Sequence, residues 1–208
     1  MAAAQGLILA SASPRRRELL AGLLPAVDVI PCPYPEPALP TAKVVPASWA
    51  QALAYFKARA VAEFHPGRWV LGADTIVVCD GEVLGKPRDI ADARDMLERQ
   101  ARCASDVWTG VCLVRRGDGT TRRLAAVERT RVWMRDDPAI REAYLRNGDW
   151  AGKAGAYGIQ DVGDRLVTRV EGSFSNVVGL PLECLTQLLT EIGLIEAGAG
   201  PRRPADNG

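Results

Sequence analysis

Histidine is almost missing from this chain: His65 is the only one in 208 residues. A Ser-His-Asp or Cys-His mechanism, or a histidine-rich metal site, would have to run through that one ring. It sits in Phe64-His65-Pro66-Gly67, a turn closing a helix, so a surface or helix-end place is expected. Cysteine is scarce and scattered. Cys32, Cys79, Cys103, Cys112 and Cys184 form no C-x-x-C pair, and their odd number argues against a disulfide framework and a zinc site. A reducing, cytoplasmic compartment is expected. Excess charge is missing too: the formal net charge is +1, so polymeric nucleic acid is not the expected partner. No run approaches the roughly 18 apolar residues of a membrane span, and no basic segment precedes the apolar N-terminal run. No membrane partner is expected. Catalysis is thereby left to carboxylates, lysines, arginines and a hard cation.

What is present is globular material, 48% hydrophobic and 25% charged, enough for one domain with a core. A first strand over residues 7–10 runs into Ser11-Ala12-Ser13-Pro14 and a helix reaching about Leu23. Ser13 reads as its N-cap and Pro14 as its first residue. Helix-start amides beside Arg15, Arg16 and Arg17 read as an anion trap. A strand near 27–30 leads into six prolines between Pro31 and Pro46, an extended loop that is either a linker or a cleft wall. The spacing predicts a helix over 48–64, with Leu53, Phe56 and Ala60 on one face and Lys57 close by. Strand residues 69–79 read as broken at Ala73-Asp74, and Asp80-Gly81 predicts a hairpin into 82–84. A helix capped by Asp89, a long hairpin over 107–134 and a helix from Pro138 to Asn147 follow. Residues 149–164 read as irregular, 166–178 as a further hairpin, and Pro181 opens the last helix. Residues 1–194 are expected as one domain, with a disordered tail over 195–208. Early alternation of strands and helices followed by hairpins predicts an α/β fold: a mixed twisted sheet flanked by helices, with a cleft between two lobes.

Several residues stand against local preference. Asp74 lies in the apolar run Val70–Val78, where a carboxylate is either satisfied at a bulge or functional. Gly81–Pro87 is no P-loop, since its glycine spacing is one residue short and Pro87 replaces the required Ser or Thr. Lys86 there is either a solvated turn lysine or a point charge aimed at phosphate. Lys57 and Arg59 are either a wet helix face or part of a site. Glu36 is the only acid of the proline-rich loop, exposed or a ligand for metal or water. Gln160 and Asn176 are polar residues entering small or apolar stretches, equally open to structural roles.

Taken together, the segments Ser11–Arg16, Gly72–Thr75, Leu84–Pro87, Thr109–Val111, Lys153–Gln160 and Val178–Leu182 resemble the Maf family of nucleoside triphosphate pyrophosphatases. The resemblance implies hydrolysis between the α- and β-phosphates, giving a nucleoside monophosphate and pyrophosphate with a divalent cation, Mg2+ or Mn2+. It implies Asp74 as proton acceptor and Lys57 and Lys86 in the phosphate site. The chemistry of the carboxylates adds Asp74 and Glu36 as the expected metal ligands. Ser11, Ser13 and Arg16 fall in the family's substrate-binding segment. Arg15, Thr75 and Gln160 fall where the dTTP/UTP branch carries its specificity residues. The branch acting on 7-methyl-GTP differs there. A nucleotide-binding regulator of septum formation without turnover is the other reading, and the resemblance suggests a homodimer. Two departures stand out: the usual acidic pair of the loop is reduced to Glu36, and Gln100-Ala101-Arg102 and Ser105 replace the usual Leu-Ser-Gly and histidine.

Overall fold

The computed structural model describes residues 6–37, 44–117, 119–160, 165–196 and 198. Among them the elements run β1 (Ile8–Leu9), α1 (Pro14–Ala21), β2 (Asp28–Val29), α2 (Pro46–Ala62), β3 (Trp69–Cys79), β4 (Glu82–Leu84) and α3 (Ile90–Arg102). They continue as β5 (Ser105–Gly117), β6 (Thr120–Met134), α4 (Pro138–Asn147), a 3-10 turn Ala154–Ala156, β7 (Val167–Glu171), α5 (Phe174–Val178) and α6 (Leu182–Glu191). The strands form one sheet in the order β2-β1-β3-β5-β6-β7, with β4 on the far part of β3. β1 is parallel to β2 and β3, and the other pairings are antiparallel. This is the expected mixed α/β sheet.

Two sets of packing divide the molecule. Near β1, Leu7, Leu9, Leu71 and Leu113 pack with Leu182, Leu185 and Leu189 of α6, while Ile8, Val70, Cys112 and Val114 pack beneath α2. Beyond β4, Val77, Leu84, Leu97, Val132, Tyr144, Leu145 and Tyr157 gather α3, α4 and the 3-10 turn. The long strands β3, β5 and β6 pass through both, and the cleft opens between them.

α2 lies unusually deep on the sheet. Ala50, Ala54, Ala58 and Ala62, one helical turn apart, are fully buried. They face Gly72 of β3 and Gly110 of β5, where an added Cβ would stand 2.1 Å from the Ala54 carbonyl oxygen and 2.5 Å from that of Ala50. Only small residues on both sides allow this approach. The expected face of Leu53, Phe56 and Ala60 is therefore secondary, with Phe56 only partly buried.

Three expectations are corrected. β3 is not broken at Ala73-Asp74: its ladder with β5 runs through all of 69–79, with Asp74 opposite Gly110. Residues 166–178 are not a hairpin. β7 is followed by α5, because the Ser173 side chain accepts from the Asn176 amide and Gly179 at φ 119° ends the turn. α1 ends at Ala21, two residues short of the expected Leu23. His65 closes α2, its amide donating to the Ala62 carbonyl at 3.3 Å. All five cysteines are free thiols. Leu194 and Ile195 still pack on the core, while 197 and 199–208 of the expected tail lie outside the described residues, as do 38–43 of the proline-rich loop.

Candidate active site

The cleft begins where the sheet has a gap. β1 pairs with β3 only at Val70 and Leu71, and β4 pairs with it only at Val77–Cys79. Between them, 72–76 of β3 have a strand on the β5 side alone, at the carboxyl end of the parallel β1, where open α/β sheets place their ligands. Successive strand residues face opposite ways. Asp74 accordingly meets α2, Thr75 meets α1 and α5, and both line a cleft of about 830 Å3.

On the α2 side, Lys57 Nζ donates to Asp74 Oδ1 at 2.6 Å and to Glu36 Oε1 at 2.6 Å. The Lys57 and Asp74 side chains are only 9% and 10% exposed, against 46% for Glu36. A buried ammonium between two carboxylates is tolerable because each charge is paired and hydrogen-bonded. Burial pushes the Glu36 carboxyl up, but the hydrogen bond and charge of Lys57, with Lys86 and Arg16 farther off, outweigh it and hold the group below its usual range. Asp74 Oδ2 is left without a hydrogen-bond partner among the described residues.

On the other side, Arg16 is bonded through each of its three side-chain nitrogens. Its Nε donates to the Gly179 carbonyl at 2.8 Å, Nη2 to Thr75 Oγ1 at 3.1 Å and Nη1 to Ser11 Oγ at 3.4 Å. Burial pulls this guanidinium below its ordinary pKa; Asp74 and Glu36 oppose the shift and Arg15 adds to it. Ser13 is the N-cap: its Oγ accepts from the Arg16 amide and its carbonyl from the Arg17 amide. The expectation of outward, unpaired helix-start amides is thus corrected in part: the Arg16 and Arg17 amides are used by Ser13 and Pro14 has none, while the Arg15 amide has no partner among the described residues. The positive charge at this end comes from side chains.

Ser11, Ser13, Arg15, Arg16, Glu36, Lys57, Asp74, Thr75, Lys86 and Gln160, the residues expected to form the site, all line this one cleft. Lys86 and Gln160 are exposed and Arg15 is partly buried; none of the three has a hydrogen bond to another described residue. Arg59 and Arg17 do not line it; Arg59 pairs with Glu63 on the surface. Asn176 is fully buried and outside the lining, which answers the open reading in favour of structure.

Other contributors were not legible beforehand. Trp49 and Tyr34 add aromatic wall. Gly155 and Ala156 both take left-handed backbone, at φ 70° and 63°, and are held there from outside. The Gly155 amide donates to the Gly85 carbonyl at 3.0 Å, while buried Gln100 Nε2 donates to the Gly155 carbonyl at 2.7 Å. Gln100, a departure from the expected pattern, therefore fastens the 152–160 wall to α3, while the Gly155 amide fastens it to the loop bearing Lys86.

Among the described residues no group of three or more His, Cys, Asp and Glu side chains has the arrangement of a metal site. Two carboxylates stand side by side here, Asp74 and Glu36, both bonded to Lys57 Nζ, and since Mg2+ is commonly held by one or two carboxylates together with substrate phosphates, the donor set fits a hard divalent cation beside that ammonium.

A mixed α/β sheet with a cleft at its gap, carboxylates on one flank and cations along the walls, defines a protein of the anionic-ligand-binding class. The Maf-like protein family model matches residues 6–192, and the chain belongs to that family. It is 48% identical to the dTTP/UTP pyrophosphatase of Symbiobacterium thermophilum, over 94% of this chain and 100% of that one. It is 46% identical to the dTTP/UTP pyrophosphatase of an Anaeromyxobacter species, over 97% of each chain. A third of that name, from Koribacter versatilis, is 44% identical over 91% and 96%. A solved nucleoside-triphosphatase / dITP/XTP pyrophosphatase of Mycobacterium abscessus is more distant, with TM-score 0.40 and 17% identity, covering 62% of this chain and 74% of that one.

Proposed function

We propose that this chain is a nucleoside triphosphate pyrophosphatase that hydrolyses dTTP and UTP to the monophosphate and pyrophosphate. The observation carrying this reading is Lys57 pinned between Asp74 and Glu36 in a cleft that Arg15, Arg16 and Lys86 also line. The name shared by the relatives supports the substrate.

In this reading, Asp74 takes the proton from a water whose oxygen attacks the α-phosphorus, and the bond to the bridging oxygen breaks to release pyrophosphate. Lys57 holds Asp74 through Oδ1, which fixes the carboxylate plane and leaves Oδ2 for that water. Lys86 and Arg15 meet the phosphate charge, while Arg16 orders the wall around Ser11, Ser13 and Thr75. Gln160 reads the nucleoside. A divalent cation held through Asp74 and Glu36 would neutralise phosphate charge as the bond breaks. The setting is cytoplasmic, in keeping with five free cysteines, and a homodimer is the expected assembly.

The test is a panel of nucleotides with Mg2+ or Mn2+, assayed for released pyrophosphate. Release from dTTP and UTP, lost in Asp74→Asn, is expected. Binding without turnover across both metals would overturn the enzyme reading, and preference for 7-methyl-GTP would overturn the substrate.

A further inference from the structure

Two of the five cysteine sulfurs meet each other, away from the cleft lining. Cys79 ends β3, the strand that carries Asp74, and pairs with Ser105 at the start of β5. Cys103 stands between α3 and β5 as the C-cap of the helix, its amide donating to the Arg99 carbonyl at 3.2 Å. The turn from helix into strand brings Cys103 over Cys79, and the two Sγ atoms lie 2.8 Å apart. A covalent S–S bond is about 2.05 Å long. The sulfurs of Cys32, Cys112 and Cys184 meet main-chain carbonyls instead.

The two thiols are not equivalent. Cys79 is buried, whereas Cys103 is partly exposed. Burial pushes the Cys79 thiol up to about 12; the Cys103 thiol and the Asp80 charge add to the shift, and Arg99 opposes it. A covered, protonated thiol is a poor first target for an oxidant, because both exposure and thiolate character govern that reaction. Attack from solvent therefore falls to Cys103, with Cys79 in contact behind it. An accessible thiol poised beside a resolving one is the arrangement of redox-sensing cysteines.

We propose that Cys79 and Cys103 are an oxidative modification site, at which hydrogen peroxide forms a reversible disulfide that ties the strand of Asp74 to the helix of Gln100. The Cys103 sulfur attacks one peroxide oxygen and the O–O bond breaks. Cys103 becomes a sulfenic acid, and the departing oxygen leaves as water with the thiol proton. The Cys79 sulfur then attacks the Cys103 sulfur, the S–O bond breaks, and the hydroxyl leaves as water with the Cys79 proton. Two thiols are oxidised and one peroxide is reduced to two waters. Contact between the sulfurs offsets the weak nucleophilicity of a protonated Cys79, since no encounter has to be arranged. Gln100 lies one helical turn before Cys103 and donates to the Gly155 carbonyl at 2.7 Å, so the same link secures the helix that anchors the 152–160 wall. A transient disulfide of this kind is compatible with a reducing compartment.

The experiment uses the whole chain and hydrogen peroxide in slight excess. The folded protein is oxidised, its remaining thiols are alkylated in denaturant, and its peptides are read by mass spectrometry. The expected product has lost two hydrogens, joins the Cys79 and Cys103 peptides, and carries alkyl groups on Cys32, Cys112 and Cys184. Its thermal midpoint should rise by about 5 °C and fall back with dithiothreitol. Cys103→Ser, a change at a partly exposed position, should fold as the wild type does and show no such rise. Alkylation of both Cys79 and Cys103 after peroxide would overturn the proposal. So would oxygen added to Cys103 with Cys79 still free, or a link to a second molecule. An unchanged midpoint in the linked protein, or an equal rise in Cys103→Ser, would overturn it too, since the tie would then hold nothing. None of these readouts needs nucleotide turnover, so their failure leaves the proposed activity standing, and failure of that activity leaves them standing.

Discussion

The two walls of the cleft treat their polar groups in opposite ways. On the wall built from β3, α2 and α1, every charged group but Arg15 is bonded to the protein: Lys57 to Asp74 and Glu36, Arg16 to Gly179, Thr75 and Ser11. On the facing wall, Lys86 and Gln160 are exposed and have no such bonds to described residues. In the proposed mechanism the difference separates two tasks. Groups that must hold a reacting geometry are fixed beforehand, which costs nothing at the moment of reaction. Groups that capture a ligand are left unsatisfied until it arrives.

Four substitutions and one titration press on this contrast. The largest effect is expected from Asp74→Asn, which should cut kcat by about 100- to 10,000-fold, the range of a lost general base, with little change in KM. Lys57→Met comes next. Removing one partner of a buried ion pair costs about 3–5 kcal/mol of stability, so thermal unfolding should shift down as activity disappears. Gly72→Ala tests whether the α2 contact positions Lys57. A Cβ there cannot fit, overpacking costs about 1–3 kcal/mol, and kcat should fall further than the folded fraction does.

Lys86→Met is expected to be the mirror image of Lys57→Met: KM for the triphosphate rises about 10-fold while stability stays within about 0.5 kcal/mol. Equal stability losses at Lys57 and Lys86 would erase the distinction between the walls. The smallest effect concerns Glu36. Its pKa is lowered in the folded protein, so its contribution is complete above the ordinary glutamate value of 4.5 and is lost as pH falls through the lower folded value. An NMR titration of its carboxyl should move upward in Lys57→Met, because the hydrogen bond and the nearest positive charge are both gone.

Much of this was readable from the chain, for a physical reason. Asp74 stood out because a carboxylate inside an apolar strand is expensive, and Pro14 after Ser13 because few other contexts suit that pair at a helix start. The α2 face was not readable from hydrophobic periodicity, which weights Leu53 and Phe56. The contact is made instead by four alanines against two glycines that meet only once the sheet has formed. Asp74 was expected to break β3 because strand preference disfavours it. The ladder survives because Gly110 lies opposite and Lys57 compensates the charge. The bond from Thr109 to Asn176 spans 67 residues, a juxtaposition that no local spacing reveals. The helical turn of α5 carried a readable signal, Ser173 as cap and Gly179 as stop, but the β-branched and aromatic residues around it favoured a strand.

In the proposed mechanism, water activated at Asp74 attacks the α-phosphorus. Hydrolysis of UTP in water enriched in heavy oxygen, read by mass spectrometry of both products, tests this most directly. Label is expected in UMP and absent from pyrophosphate, with Asp74→Asn forming both products at least about 100-fold more slowly. Label in the pyrophosphate, or release of UDP and inorganic phosphate, would contradict it.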